Sequence, residues 1–270
     1  LPADFGCLGE RVGYYGNSLG DHFGVGHIFL AGEAPGLFYG YVTQGIVQKE
    51  DITENGIKYI KQDGSVGYYQ TVNKTTPVAG DVKYVDRNGD GVVDDNDRDI
   101  IGNPNPDFTY GFQTKVSWKS LSLSASFNGV QGRDILNVGN RYNNTPGTKS
   151  NNVTRKAFQN MWTDENPSNL YPKSTFVVQN MVMDRYVEDG SYLRCSDITL
   201  SYVLPAKWTN KIGIKNTSVY ASVKNAFVIT DYSGYDPEVN SFAFDGLRPG
   251  VDMNSYPTPR SFVFGLNLTF

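Results

Sequence analysis

The tightest constraint on what this chain can fold into is a period of two. From Phe108 to Trp118 one face carries Phe108, Tyr110, Phe112, Thr114, Val116 and Trp118. The other carries Thr109, Gly111, Gln113, Lys115 and Ser117. After a turn at Lys119-Ser120 the pattern resumes, with Leu121, Leu123, Ala125 and Phe127 alternating with Ser122, Ser124, Ser126 and Asn128. Successive side chains of a strand point to opposite faces. The segment therefore reads as a hairpin of two strands, each about ten residues long, with one apolar and one polar face. Ile198, Leu200, Tyr202 and Leu204 alternate in the same way with Asp197, Thr199, Ser201 and Val203 until Pro205 stops the run. Thr217 to Ile229 is a further strand whose facing its Val, Tyr and Ala leave open. In the last strand Phe262, Phe264, Leu266, Leu268 and Phe270 share a face, opposite Val263, Gly265, Asn267 and Thr269.

Alternation alone fits two architectures. In a soluble sandwich the apolar face meets another sheet, and in a membrane barrel it meets lipid while the polar face lines a wet lumen. Connection lengths favour the barrel. The turns after Trp118 and Leu204 are short, whereas Gln131 to Gly190 and Asp231 to Thr258 are long. Short periplasmic turns alternating with long outer loops are the barrel habit. Aromatic residues at 13% and 29 glycines suit strands and turns. No apolar run approaches the ~18 residues of a membrane helix, which leaves a barrel open. A net charge of -4 shows no nucleic-acid footprint.

The first long loop is expected to hold one helix, with Val153, Ala157, Phe158, Met161 and Trp162 at helical spacing, Asn151 or Asn152 as cap, and Asn166-Pro167 as its end. Its aromatic stripe is expected to pack the helix onto neighbouring loops. Glu33 to Ile52 is turn-rich, with weak helical or strand character. Leu1-Pro2-Ala3-Asp4-Phe5 lacks the basic region and apolar core of a signal peptide, so the chain is expected to start inside a longer polypeptide. Cys7 and Cys195 are expected to be unpaired.

One motif points to a metal. Asp86 to Asp97 matches the twelve-residue calcium loop. Asp86, Asn88, Asp90, Asp94 and Asp97 put side-chain oxygens at loop positions 1, 3, 5, 9 and 12, and Val92 offers a backbone carbonyl. Gly91 sits at the sharp turn. Calcium takes six to eight hard oxygens at variable angles, and a short Asp/Asn loop supplies them. Position 12 is Asp97 where the full pattern has Glu, so bidentate closure is weaker. Gly80 to Val85 reads as extended chain, which argues against a helix-opening switch. A bound Ca2+ would be structural, stiffening a loop; the competing reading is a solvated Asp/Gly-rich turn without metal.

Catalytic chemistry is missing. The two histidines, His22 and His27, have no Cys or His neighbour to complete a zinc set, and both are expected in loops or on strand surfaces. No nucleophile or phosphate-binding motif occurs. The chain is not expected to be an enzyme. Tyr171, Tyr235, Phe242, Phe244 and Tyr256 lie in the long loops, where they either stack on sugar rings or pack loop on loop. Gln113, Lys115 and Asn128 are candidate wall contacts on the polar face. No substrate-binding residue is assigned.

Several segments carry a family resemblance: Gly32 to Tyr41 with Gly45-Ile46, Gly80 to Asp99 leading into Ile101-Gly102-Asn103-Pro104-Asn105-Pro106-Asp107-Phe108, Trp162 to Pro167, and Tyr192 to Tyr202. Asn225-Ala226-Phe227, Gly234 to Val239 and Tyr256-Pro257-Thr258-Pro259-Arg260 complete the set. Together and in this order they resemble the SusC-like (RagA-like) TonB-dependent transporters of Bacteroidetes outer membranes. Cys195 departs from the family pattern without putting it in doubt. The resemblance implies an all-β fold: the C-terminal portion of a 22-stranded antiparallel transmembrane β-barrel with long extracellular loops, residues 1–270 lying after the plug domain and N-terminal strands. It implies import of oligosaccharides, sometimes peptides, across the bacterial outer membrane. The implied partners are a SusD-like surface lipoprotein and the TonB energy-transducing complex, with outer-membrane lipid around the barrel. A soluble extracellular calcium-binding β-sandwich, an adhesin or glycan-binding module, is the rival. Counting strands back from a periplasmic Phe270 places Lys119-Ser120 and Pro205 to Asn216 inside, and Gln131 to Gly190, Asp231 to Tyr256 and the calcium loop outside. By resemblance to outer-membrane barrels generally, the terminal aromatic Phe270 is also a membrane-assembly signal.

Overall fold

The structure is a computed structural model that describes residues 11–14, 26–145, 152–174, 181–209, 214 and 216–269. In chain order its strands begin with β1 (Arg11–Tyr14), β2 (His27–Leu30), β3 (Leu37–Tyr41), β4 (Thr43–Ile46), β5 (Ile52–Thr53), β6 (Gly56–Ile60), β7 (Val66–Tyr69) and β8 (Thr71–Val72). They continue with β9 (Val82–Tyr84), β10 (Val92–Val93), β11 (Arg98–Gly102), β12 (Phe108–Trp118), β13 (Leu121–Gln131) and β14 (Asp134–Asn137). Helices α1 (Val138–Asn144) and α2 (Arg155–Asn160) follow, then β15 (Val187–Asp189), β16 (Tyr192–Val203), α3 (Ala206–Thr209), β17 (Asn216–Thr230), β18 (Val251–Asp252) and β19 (Ser261–Thr269). Two compact units result. The first is Leu1–Asn105, Asp134–Glu188 and Val239–Asn254, and the second is Pro106–Arg133, Asp189–Glu238 and Ser255–Phe270.

The second unit is one antiparallel sheet in the order β12-β13-β16-β17-β19. Its register explains the alternation. Phe112 pairs with Phe127, Phe127 with Cys195, and Cys195 with Phe227. Leu123, Leu200, Ala221 and Phe264 form another such row. One face is thus apolar across all five strands. The other carries Ser124, Thr199 and Ser222 in one row and Ser122, Ser201 and Tyr220 in the next. Phe112 and Phe127 stack at 4.6 Å between centroids, and Phe127 meets Phe227 edge-on at 6.4 Å. Cys195 lies between them in register, fully buried, with a free thiol. The expectation for Cys7 falls outside the described residues. All eleven residues of β12 are exposed, on both faces. A sandwich strand would have one face covered.

The sheet also shows what simple alternation concealed. Between Ala125 and Phe127 on β13, β16 runs from Ile198 back to Cys195, one residue more, with Ser196 as the extra residue of a bulge. On β17 the matching stretch runs from Val223 to Phe227, longer again, with Asn225 at φ +51°. The extra residue inverts the facing of everything before it. Arg194, four residues before Ile198, therefore stands on the polar side opposite Asn128 instead of on the apolar side. Strand β16 consequently begins at Tyr192, five residues before the regular alternation at Asp197.

The first unit has a core rich in tyrosine, with Phe38, Tyr41, Tyr59, Tyr69, Tyr84, Val93 and Leu136 among its buried members. Small sheets surround it: β1-β2-β3-β11, the meander β5-β6-β7, antiparallel β4-β9, parallel β8-β10, and β15-β14-β18. Glu33 to Ile52 thus contains two whole strands, β3 and β4, and the first residue of β5. Strand β3 is buried on both sides, so period two never shows in it. The helix expected around residues 153–162 is shorter. Thr154, not Asn151 or Asn152, caps α2 by accepting from the Ala157 amide at 3.2 Å. Met161 is already extended and bridges to Tyr171, while Trp162 is buried and donates to Gln48 Oε1 at 2.9 Å. Helix α1 was not legible, because its Gly and Asn residues have weak helix propensity.

Ser117 and Ser122 stand directly opposite across the β12–β13 turn, with Oγ atoms 2.9 Å apart. In the full-length protein, Ser117→Cys with Ser122→Cys should form a disulfide that protects both thiols from maleimide. Ser117→Cys with Ser124→Cys should not. Equal protection of the two pairs would show a different register.

Candidate functional site

The calcium-type loop folds on its own amides. Asp86, which is 2% exposed, accepts from the Gly89 amide through Oδ1 at 2.6 Å and from Gly91 through Oδ2 at 2.8 Å. Asn88 Oδ1 accepts from Asp90 N, Asp90 Oδ1 from Val92 N, and Asp94 Oδ1 from Asn96 N, each within 2.9 Å. Asp97 closes the loop. Its Oδ1 takes the amides of Arg87 and Asn88 and its Oδ2 that of Asp94, while the residue is fully buried. Burial pushes this carboxyl above the usual carboxylate range, against the pull of the three amides. Gly89 and Gly91 both have positive φ, the conformation only glycine adopts cheaply.

Tyrosines of the first unit's core hold this loop from behind. Tyr59 Oη donates to the Asp86 carbonyl at 2.6 Å, and Tyr41 Oη to Asp95 at 3.0 Å. Arg98 pairs with Asp95 at 2.5 Å. Strand β10 pairs with β8 through the carbonyls of Gly91 and Val93, which accept from Gln70 and Asn73. Successive carbonyls of a strand alternate in direction, so that of Val92 points away from this pairing. The donor types fit a hard cation. Their placement is turned toward amides: among the described residues no three His, Cys, Asp or Glu side chains gather closely enough to hold a metal ion.

A second cluster lies in the second unit and was not foreseen. Arg194 Nη2 pairs with Asp236 Oδ1 at 2.5 Å, with both side chains buried. Its Nε lies 3.4 Å from Glu238 Oε2. Glu238 Oε1 also accepts from Tyr192 Oη at 2.8 Å and from Asn128 at 3.0 Å. Asp236 accepts the amides of Glu238 and Thr258, each at 3.0 Å. Burial alone would raise the Asp236 carboxyl, but those amides and Arg194 hold it below the usual range. Asn225 donates to the Pro259 carbonyl at 3.1 Å, and Arg260 Nε donates back to the Asn225 carbonyl. The segments around Arg194, Asn225, Asp236 and Thr258, separate in sequence, are brought together here. Their dispersal hid the cluster; the only available signal was their joint presence in the family pattern.

The other expected residues divide. Tyr235, Phe244 and Tyr256 are exposed, at 71%, 82% and 91%. Tyr171 is buried, and Phe242 lies under the Arg248 guanidinium at 4.1 Å, so these two pack and do not stand open. Gln113 and Lys115 are exposed on the polar face, whereas Asn128 is engaged by Glu238. His27 is fully buried against Phe38 and the Pro249 carbonyl, contrary to the surface position expected of it. His22 and Phe270 fall outside the described residues.

No protein-family model matches the chain. It is 35% identical over 201 residues to the TonB-dependent receptor P26 of Formosa agariphila, covering 72% of this chain and 20% of that protein. It is 34% identical over 194 residues to the TonB-dependent receptor SusC of Bacteroides thetaiotaomicron, covering 69% of this chain and 17% of that protein. Among solved structures, the RagAB peptide importer in its closed-closed state superposes with a TM-score of 0.63 at 25% identity, over 91% of this chain and 24% of that one. Its open-open state gives 0.61 at 26% identity, over 91% and 23%. The chain belongs with the SusC-like TonB-dependent transporters. As a SusC-like chain it forms part of an all-β barrel, which settles the question that alternation left open. The relatives are receptors and importers and not enzymes, in line with the missing catalytic motifs. This SusC-like chain spans about a fifth of the length of the P26 and SusC relatives.

Asp86→Ala removes the acceptor of the Gly89 amide and of the buried Gly91 amide. It should lower the free energy of local opening by about 3 kcal/mol and raise tryptic cleavage at Arg87 roughly a hundredfold. Asp86→Asn, which keeps one acceptor oxygen, should be milder. Unchanged cleavage in both would mean that the carboxylate does not hold the loop.

Proposed function

We propose that the full-length protein imports oligosaccharides, or alternatively peptides, across the outer membrane, driven by TonB and assisted by a SusD-like surface lipoprotein. The observation that carries this is the two-faced sheet of the second unit, in a chain that matches SusC and RagAB over most of its length. Its apolar rows suit lipid. Its polar face is dominated by hydroxyls, Ser122, Ser124, Ser126, Thr199, Ser201, Ser218 and Ser222, with Lys224 neutralised by Asp197 at 2.5 Å. Such a wall offers many donors and acceptors and little charge beside Lys115, which suits a polyhydroxylated cargo. On this reading the turn at Lys119-Ser120 is periplasmic and the calcium-type loop extracellular. Deleting the gene should abolish growth on its cargo, tested with oligosaccharide and peptide mixtures as sole carbon source. The full-length gene should restore growth only in cells that retain TonB. Restoration without TonB would sink the import reading.

We also propose that Asp86, Asn88, Asp90, Val92, Asp94 and Asp97 hold a structural Ca2+. In support, the Asp86, Asp90 and Asp94 oxygens that accept an amide accept one each and keep a second lone pair, and the Val92 carbonyl is free of the β8 pairing. The ion would add rigidity to a loop already braced by Tyr59 and Tyr41. Tryptic cleavage at Arg87 in the full-length protein should slow in millimolar Ca2+ relative to chelator, and Asp90→Ala should abolish the difference. Equal rates with and without Ca2+ in the parent would remove the metal.

A further inference from the structure

We infer that Arg194 and Asp236 form a clasp that fixes both stems of the loop between β17 and β19, so that the base of this loop is a rigid part of the wall and not a mobile lid. The inference rests on the geometry of the second unit and stands whether or not the import reading is correct.

The loop leaves β17 after Thr230 and returns at Ser261. A connection of this length is ordinarily the most mobile part of a barrel. Here each stem meets one carboxylate. Asp236 belongs to the outgoing stem, and its Oδ1 accepts the Glu238 amide while pairing with Arg194. Its Oδ2 accepts the amide of Thr258 on the returning stem. One side chain therefore ties outgoing stem, returning stem and strand β16 together. Independent ties flank it. Glu238 is held by Tyr192 and Asn128 of the strand wall, Arg133 donates to the Pro237 carbonyl, and Asn225 donates to the Pro259 carbonyl while its own carbonyl accepts from Arg260.

Burial gives these ties their strength. The Arg194 side chain is 6% exposed and that of Asp236 is 9% exposed. A buried charge that loses its partner is left uncompensated, so opening the stems carries a penalty that an exposed pair would not impose. Surface pairs, by contrast, exchange with water at little cost. The bulge at Ser196 is the local device that makes the clasp reachable, because it brings Arg194 to the polar side.

Tyr235 and Tyr256 sit on the two stems and are exposed, which makes them suitable probe positions. In the full-length protein, Tyr235→Cys and Tyr256→Cys carrying nitroxide labels should give one narrow distance distribution by electron spin resonance. Adding Asp236→Asn should broaden it and shift it to longer distances. Thr258→Pro removes the amide and hydroxyl ties of Thr258 and leaves the ion pair intact, so it should give a smaller broadening even if Asp236→Asn fails to assemble. A parent distribution that is already broad would overturn the clasp. So would unchanged narrow distributions in the variants that assemble.

Discussion

Everything in the second unit depends on the backbone ladder that runs from β12 to β19 and is interrupted at the Ser196 bulge. Hydrocarbon offers no hydrogen-bond partner, so every amide and carbonyl at membrane depth must be paired with a neighbouring strand. Once the ladder is fixed, period two does the rest. It sends Phe112, Phe127, Phe227 and Phe264 to one side and Ser124, Thr199 and Ser222 to the other with no further instruction. The aromatic contacts across strands then add packing within the sheet.

The first unit answers a different problem. Its segments are short and irregular, so no single ladder can organise them. Tyrosine solves this by combining a large apolar ring with a hydroxyl that can satisfy a loop. Tyr59 and Tyr41 fill the core with their rings and reach Asp86 and Asp95 with their hydroxyls. The Asp86 to Asp97 turn is therefore an extension of the core. Its buried carboxylates are tolerable because each accepts several amides.

The sequence was most readable where one physical rule acted alone. The β12–β13 hairpin, with its two-residue turn and clean alternation, appears as read from Phe108 to Asn128, with β13 continuing to Gln131. Asp86, Asn88, Asp90, Asp94 and Asp97 do fold as one turn, since their spacing encodes local hydrogen bonds. Legibility failed where rules competed. Strand β3 is buried on both sides and shows no alternation. Trp162 has helical spacing from Phe158, yet a tertiary bond to Gln48 draws it out of the helix. The Arg194–Asp236 pair joins residues 42 positions apart, and no local pattern announces it.

The bulge at Ser196 makes part of β16 behave like a reading frame. Residues after it are in one frame and residues before it in the other. Deleting that single serine would close the bulge and leave Cys195 opposite Phe127 and Arg194 opposite Asn128, so the facing of Tyr192 to Cys195 would survive. Pulling the bulge straight with every residue kept would instead slip the register: Ser196 would move opposite Phe127, Tyr192 and Arg194 would turn to the apolar side, and Leu193 and Cys195 to the polar one. The bulge is thus a splice that absorbs one surplus residue, and a chain one residue shorter at this point needs no splice.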